Sequence, residues 1–180
     1  MPFIALNKLT KKRIDITLLD KPREVLKADE LACQICGQDL IIKAGMIVRA
    51  HFAHKPQQLC SSEYKAHPES AAHREAKRFL KEELPNHFTD YKGVRLEYEV
   101  PIKPVKRIAD VLAIFPNGHR VAHEVQLAKI TITELEVRTQ DYARAGIDVV
   151  WWLGLSANTE SNQEWCLQTF GECFMLNIKS

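Results

Sequence analysis

The stretch of sequence that decides the fold runs from Lys106 to Leu127 and reads KRIADVLAIFPNGHRVAHEVQL. Apolar residues dominate the first half and recur through the second, and proline, asparagine and glycine separate the two at 116–118. This pattern predicts two strands, 106–115 and 119–127, joined as a hairpin. Proline lacks the amide that a two-residue Asn-Gly turn would use, so we expect a three-residue loop with glycine in the left-handed position.

The length of that loop decides which side chains face one another. A three-residue loop pairs Phe115 with His119 and, counting back, places Asp110 opposite Glu124, with Gln126 on the same face. Opposed carboxylates repel each other unless a cation lies between them, and Mg²⁺ or Mn²⁺ suits such oxygen ligands. The alternative is a solvent-exposed edge, but both acids have apolar neighbours, where acids are rarely without a role. We therefore predict a catalytic metal site on Asp110 and Glu124, with Gln126 beside it.

Periodicity on either side of the hairpin predicts the rest of this domain. The further elements are a helix at 68–84 ended by Pro85, a strand at 94–100, a helix at 131–145, a strand at 147–153 buried on both faces, and a short helix and strand from Asn162. Thr131 and Glu134 form a capping-box pattern for the second helix, and Gly146 ends it. Strand, helix and buried strand in succession imply a right-handed parallel crossover. The fold class is thus α/β with an αβββαβ core.

The helix at 68–84 carries a polar stripe beside an apolar one. Glu69, His73 and Lys77 recur at i, i+4 and i+8. The apolar stripe comprises Ala72, Ala76 and Phe79. If the apolar stripe docks on the sheet, Glu69 and His73 reach the rim of the acidic site; otherwise the polar stripe faces solvent.

Basic residues give a weaker indication of a nucleic-acid partner. The formal net charge of +2 excludes a polycation of the histone type. Basic clusters at 8–13 and 103–107 could follow a phosphate backbone, although charge alone favours a solvated face. Arg138 and Tyr142 form an i, i+4 pair that either meets a phosphate or stacks at the surface.

The N-terminal part predicts a small β-rich module. Its predicted strands are 3–7, 13–19, 39–43 and 46–50, the last two joined as a hairpin across Ala44-Gly45. We place the module at 1–65 and the nuclease-like domain at 66–180. The chain has no apolar run of roughly 18 residues and no signal-peptide pattern, so we expect a cytoplasmic protein without membrane contact.

Cysteine and histidine spacing predicts a structural zinc site in this module. Cys33 and Cys36 form a knuckle, Cys60 supplies a third ligand, and either His54 or His51 supplies the fourth. We favour His54, because it lies past the predicted strand in the loop that leads to Cys60. The alternative is a set of reduced thiols with a chance histidine pair. Removing zinc should unfold the module, since its core is too small to fold alone.

These motifs together resemble the competence protein CoiA-like nucleases of the PD-(D/E)xK superfamily. The resemblance rests on Ile4–Asn7, the Cys33-x-x-Cys36-Gly37 knuckle, His51-Phe-Ala-His54, Glu69-Ser-x-x-His73-x-x-x-Lys77, Arg107-x-x-Asp110-Val, Glu124-x-Gln126 and Arg138-x-x-x-Tyr142. It implies a restriction-endonuclease-like fold acting on DNA, with links to uptake, recombination or defence and to the proteins of those processes. Gln126 replaces the superfamily lysine, as is usual in this family, and Ala128 stands where the family tends to have serine.

Three functional hypotheses follow from these residues. In the first, a Mg²⁺-dependent nuclease uses Asp110 and Glu124 as metal ligands, with the Val125 carbonyl as an extra ligand and Gln126 positioning the water. Glu69 then supports the metal's outer coordination or binds a second ion. The candidates to hold phosphate oxygens are Lys77, Arg107, Arg138 and Tyr142. The second hypothesis is an inactive zinc-containing DNA-binding or adaptor protein, and the third is a hydrolase that uses Cys60, which zinc ligation disfavours.

Overall fold

The computed structural model describes residues 3–45, 49–58, 60 and 69–177. The chain divides into two compact units, residues 1–69 and 70–180. None of the described helices combines the length and the apolar character that crossing a membrane requires.

The first unit consists of short strands in two small sheets. Its elements are β1 (Ile4–Asn7), β2 (Arg13–Asp15), α1 (Pro22–Val25), β3 (Leu31–Ala32), β4 (Leu40–Lys43) and β5 (His51–His54). β1 lies between β2 and β3 and pairs antiparallel with both, while β4 and β5 pair antiparallel with each other. The predicted small β-rich module is confirmed.

The strand predicted at 13–19 is shorter than expected. Only Arg13–Asp15 is a strand. The Asp15 carboxylate accepts a hydrogen bond from the Thr17 amide at 3.0 Å and begins a 3₁₀ turn at Ile16–Leu18. A side chain that bonds its own backbone two residues on competes with the sheet ladder, and here it ends the strand.

The strand predicted at 46–50 was wrong in position. The strand that pairs with β4 is β5, and Lys43 lies opposite His51. Residues 46–48 lie outside the described residues, whereas Arg49 and Ala50 precede β5 without strand structure. β4 therefore pairs with His51–His54, so Ala44-Gly45 is not the turn of a two-residue hairpin.

The second unit has the predicted αβββαβ order, followed by one more helix and strand. Its elements are α2 (Ala71–His87), β6 (Arg95–Ile102), β7 (Arg107–Ile114), β8 (Arg120–Gln126), α3 (Ile132–Arg144), β9 (Asp148–Gly154), α4 (Glu160–Phe170) and β10 (Phe174–Leu176). The five strands lie in the order β10-β9-β8-β7-β6. β6, β7 and β8 are antiparallel, and β9 is parallel to both β8 and β10, which confirms the predicted crossover.

Helices α3 and α4 cover one face of this sheet. Ala122 and Trp151 lie on the face of Glu124 by alternation along their strands, and they pack with Leu135 of α3 and Cys166 of α4 in one buried cluster. α3 begins with the predicted capping box, in which Thr131 and Glu134 exchange side-chain and backbone hydrogen bonds. This cap fixes where α3 starts and therefore which of its side chains reach the sheet.

Helix α2 differs from the prediction in its end and in its buried face. It continues through Pro85 to His87, because a proline in the last turn removes only one hydrogen bond of the helix. Phe79 of the expected apolar stripe is 43% exposed, whereas Lys77 of the polar stripe is 1% exposed. The helix contacts β6, β7 and β8. The buried face therefore combines Ala76 of the expected apolar stripe with Lys77, Leu80 and Leu84.

Candidate active site

The turn between β7 and β8 has the predicted three-residue loop. The Phe115 amide donates to the His119 carbonyl at 2.9 Å, and Gly118 adopts a left-handed φ of 85°. The paired residues run back from this turn to Val111 opposite His123. The register therefore follows from the turn, as the sequence predicts.

Beyond that pair, side-chain carboxylates accept the hydrogen bonds of the backbone amides of β7 and β8. The Asp110 amide donates to Glu124 Oε1 at 3.2 Å, and the Val125 amide donates to Asp110 Oδ2 at 2.9 Å. Each acid thus accepts a hydrogen bond from the opposite strand. The two carboxylates are held next to each other at the point where β7 and β8 separate.

Helix α2 reaches Asp110 through His73. Ser70 caps the helix by accepting from the His73 amide at 3.1 Å, and His73 Nε2 lies 3.1 Å from Asp110 Oδ2. Burial raises the pKa of Asp110, but the His73 ring and its hydrogen bond, the Lys77 ammonium and the Val125 amide together outweigh it. The net pKa falls to about 2. Asp110 is therefore an anion over the whole physiological range.

Helix α3 reaches Glu124 through two side chains. The Tyr142 hydroxyl donates to Glu124 Oε1 at 2.7 Å, and the Arg138 guanidinium donates to Oε2. Burial and then the Asp110 carboxylate raise the pKa of Glu124, although Arg138 and Tyr142 act in the opposite direction. A cation placed between the two acids would remove most of the repulsion that raises it.

Arg138 also joins Gln126 to the site. Gln126 Oε1 accepts from Arg138 at 3.0 Å, and its Nε2 donates to the Ala128 carbonyl at 2.8 Å. The guanidinium lies over the Trp151 ring, 4.6 Å from the ring centre. Because a backbone oxygen of Ala128 accepts the bond, the missing serine side chain does not affect this contact. The motif Glu-x-Gln thus has a cation in contact with both of its polar members.

Three of the residues predicted to bind phosphate donate hydrogen bonds to acidic side chains of the protein itself. Lys77 donates to Glu99 at 2.7 Å, with side chains only 1% and 3% exposed. Arg107 is buried and its Nε donates to Asp141 at 2.8 Å. Tyr142, 1% exposed, neither meets a phosphate nor stacks at the surface, because its hydroxyl serves Glu124. A buried cation or hydroxyl group needs a hydrogen-bond acceptor inside the protein, and a carboxylate serves as that acceptor for each of these three side chains.

Two further acids, one predicted and one unexpected, precede α2 and lie on β6, respectively. Glu69 lies directly before Ser70, the N-cap of α2, and its metal-supporting role stays a prediction. Glu99 was missed by the sequence analysis. It lies on β6 with a φ of 51°, a left-handed value that is uncommon for a non-glycine residue. In the sequence, Glu99 is marked only by being an acidic residue within a run that otherwise favours a strand. That pattern is too common to identify a functional residue.

A second buried network lies on the opposite face of the sheet. His123 Nδ1 accepts from the Trp152 indole at 3.0 Å, and its Nε2 lies 2.9 Å from the Tyr91 hydroxyl. Burial lowers the pKa of His123 to about 4. An indole N–H can only donate, so the ring is neutral and its Nε2–H donates to Tyr91. This histidine therefore anchors the strands and takes no part in the acidic site.

The first unit contains a separate group of metal-ligand atoms. The donor atoms of Cys33, Cys36, His54 and Cys60 lie within 4.8 Å of one another and could hold one metal ion. Cys36 Sγ and His54 Nε2 are 3.2 Å apart, while Cys33 and Cys60 sulfurs are 3.9 Å apart. Burial, followed by the neighbouring Cys33 thiol, raises the pKa of Cys60 to about 12. A bound cation would reverse this by favouring the thiolates.

His51, the alternative fourth ligand, does not join the described cluster. Its Nδ1 lies 2.8 Å from the Arg49 carbonyl. The cluster contains the favoured His54, although for a different reason than expected: His54 is the last residue of β5, not part of a following loop. Alternation along β5 separates His51 from His54, since the two are an odd number of residues apart.

Two family models match this chain. Residues 69–180 match the model described as competence protein CoiA, nuclease-like domain, and residues 18–63 match competence protein CoiA, N-terminal domain. The chain belongs to the competence protein CoiA family. The resemblance seen in the motifs is thereby confirmed, and the acidic pair, His73 and Arg138 all lie in the part matched by the nuclease-like CoiA domain.

Two individual proteins are also similar to this chain. Competence protein CoiA of Bacillus subtilis (strain 168) is 31% identical over 136 residues, which are 73% of this chain and 33% of that protein. The chain thus spans about a third of that CoiA relative's length. The crystal structure of a repair endonuclease from Pyrococcus abyssi matches 64% of this chain and 50% of its own, with 20% identity and a TM-score of 0.40. That likeness is too low to bear on activity.

Proposed function

We propose that this chain is a divalent-metal nuclease that hydrolyses phosphodiester bonds in DNA. The observation that carries the proposal is the pair of facing carboxylates where β7 and β8 separate, the buried Glu124 and the half-buried Asp110. The nuclease-like domain of the family supports the reaction class. The Bacillus subtilis relative is named a competence protein. We therefore include in the proposal that the DNA substrate of this chain is DNA that is taken up or recombined.

The donor set fits a hard divalent cation such as Mg²⁺ or Mn²⁺. Asp110 Oδ2 is engaged by His73 and by the Val125 amide, while Oδ1 has no hydrogen-bond partner among the described residues. Carboxylate oxygens in this arrangement suit such an ion, and the Val125 carbonyl is a further candidate ligand. When bound, the ion activates water and stabilises negative charge on the phosphate.

The remaining side chains of the site bind and orient. His73 and the Val125 amide hold Asp110 Oδ2, so the other carboxylate oxygen is the one that would bind the ion. Arg138, 11% exposed, offers guanidinium donors that fit phosphate oxygens. Gln126, which we expected to position water, instead has its carbonyl on Arg138. We therefore assign Gln126 the role of holding that cation, which supplies the positive charge that a lysine would bring.

We further propose that zinc occupies the Cys33, Cys36, His54 and Cys60 cluster as a structural ion. Three thiolates and one imidazole would supply the four ligands of a structural zinc site, with no position left for a substrate. The ion stabilises the first unit without taking part in hydrolysis.

Nicking of supercoiled plasmid and cleavage of single-stranded DNA in Mg²⁺ test the proposal. Asp110→Ala and Glu124→Ala should each lower the rate about 100-fold or more, because each removes charge stabilisation at the reacting phosphate. Asp148→Ala, which removes a 76% exposed acid at the start of β9, is the matched control and should cut normally. Cleavage that survives both alanine substitutions would refute the acidic site.

One observation favours a second candidate, a DNA-binding adaptor without hydrolysis. Both oxygens of Glu124 already accept hydrogen bonds from protein donors, which leaves less room for an ion there. A folded wild-type protein that binds DNA, yet cleaves neither DNA nor RNA at any Mg²⁺ or Mn²⁺ concentration, would support the adaptor and exclude the nuclease.

A further inference from the structure

A buried ion pair stands next to the acidic site. Lys77 Nζ on α2 lies 2.7 Å from Glu99 Oε1 on β6, and the two side chains are 1% and 3% exposed. Burying two charges costs several kcal/mol of desolvation, and a well-packed apolar pair is often at least as stable. Stability alone is therefore a weak reason for this pair.

The backbone at Glu99 carries a further cost. On either side of it, Tyr98 pairs with Val111 and Val100 pairs with Ala109, so Glu99 occupies the position opposite Asp110. The regular pairing is interrupted at this step, and Glu99 has a φ of 51°. Left-handed backbone at a non-glycine residue is strained, and such strain concentrates at functional sites.

The pair also connects the two elements that flank Asp110. Lys77 lies one helical turn after His73 on α2, and His73 holds Asp110 Oδ2 at 3.1 Å. Glu99 belongs to β6, the strand adjacent to β7, which bears Asp110. The ion pair thus ties the turn of α2 that carries His73 to the strand beside Asp110. The Lys77 charge also contributes to the low pKa of Asp110.

We propose that Lys77 and Glu99 form a positioning pair for Asp110. By fixing α2 on β6, the pair sets the distance between His73 and Asp110 Oδ2 and so aims the other carboxylate oxygen at the metal ion. Neither residue contacts the substrate. This inference rests on the proposed nuclease function and adds to it two residues that act through Asp110.

The test replaces the pair by apolar residues of similar length, Lys77→Met with Glu99→Met. This double variant should fold with a Tm close to that of the wild type, because both charges are removed together. A misplacement of the order of 1 Å at the reacting centre costs up to about 100-fold, so we expect kcat to fall about 10- to 100-fold. The KM for DNA should stay unchanged, and the Mg²⁺ concentration for half-maximal rate should rise.

The chain offers a matched control in another buried ion pair, Arg107 with Asp141. Their side chains are 8% and 7% exposed, and the pair joins β7 to α3 without touching Asp110. Arg107→Met with Asp141→Leu should leave kcat and the Mg²⁺ requirement close to those of the wild type. An equal loss of kcat in both double variants would overturn the positioning role, since removing any buried ion pair would then lower kcat.

A conservative variant covers the case in which the double variant does not fold. Glu99→Asp keeps both charges but shortens the acidic side chain by one methylene group. Since this shifts α2 relative to β6, kcat should fall at constant KM. A folded Glu99→Asp protein, or a folded double variant, with wild-type kcat would overturn this inference alone. A wild-type protein without nuclease activity would overturn the proposed function, and this inference with it.

Discussion

Glu124 combines almost complete burial with three hydrogen-bond donors. Its side chain is 2% exposed, and it accepts from the Asp110 amide, the Tyr142 hydroxyl and the Arg138 guanidinium. A buried carboxylate depends on such donors, because they replace the water that its charge has lost. Removing any one of them should therefore affect both the stability of the unit and the metal affinity of the site.

Tyr142→Phe isolates one of these donors. It leaves the ring in place but removes the hydroxyl, so the free energy of unfolding should fall by roughly 1–3 kcal/mol. Since Glu124 is a proposed metal ligand, the nicking rate should also fall about 10-fold or more.

Tyr91→Phe is the control for that variant. Its hydroxyl bonds His123 on the opposite face of the sheet, so it should cost about 1 kcal/mol of stability and leave the nicking rate unchanged. Chemical denaturation and the plasmid assay measure both quantities. Equal rates for the two variants would contradict the role given to Tyr142.

For individual residues, the sequence is a better guide to which side chains belong to the site than to the partners that they contact. Asp110 and Glu124 follow from a local turn, and the counting involves only the residues between them. Lys77 and Arg107 were taken for phosphate ligands because a basic residue in sequence does not reveal a partner 22 or 34 residues away. Glu99 stayed unnoticed for the same reason.

Among the elements, the hairpin of β7 and β8 has the strongest local determinants. Gly118 has a φ of 85°, and an added Cβ would meet no atom within 4 Å. Backbone conformation, not space, therefore requires glycine at this position. The seven-residue β8 and the ladder behind the turn then hold the register independently of the loop.

Gly118→Ala should accordingly strain the turn without moving the acids. We expect a loss of about 1–2 kcal/mol in the free energy of unfolding, because an L-residue disfavours this φ. Urea denaturation measures the loss, and the nicking rate should match the wild type. A variant that keeps its stability but loses activity would show that the loop itself takes part in function.

Element boundaries were predictable where capping chemistry is local and not where tertiary contacts decide. Thr131 and Glu134 fixed the start of α3 correctly. The end of α2 was misplaced because a proline in the last turn removes only one hydrogen bond, so the helix continues past Pro85. The strand expected at 46–50 failed because apolar composition gives no information on which strand pairs with β4.

For the molecule as a whole, the two compact units depend on different stabilising forces. The second unit has a five-stranded sheet with a buried cluster beneath α3 and α4. The first has two small sheets and four clustered ligand residues. A metal ion that binds only the folded form contributes its binding free energy to folding, so the first unit should depend on it.

Chelation of zinc should thus unfold the first unit selectively. Amide hydrogen exchange should show protection lost in β1–β5 and kept in β6–β9. Cys36→Ser should lower bound zinc below one equivalent per chain and reproduce this pattern. Cys173→Ser, which alters a cysteine outside the cluster, should keep both zinc and protection. Uniform loss of protection after chelation would contradict separate stabilisation.

The stacking of Arg138 on Trp151 gives the protein an optical reporter inside its own site. Of the three tryptophans, Trp151 lies beneath the guanidinium that contacts Glu124 and Gln126, whereas the Trp152 indole donates to His123 on the other face. Any ligand that draws Arg138 away from this ring changes the surroundings of Trp151 and not those of Trp152. Emission spectra can therefore follow occupancy of the site in real time, without a label and without turnover.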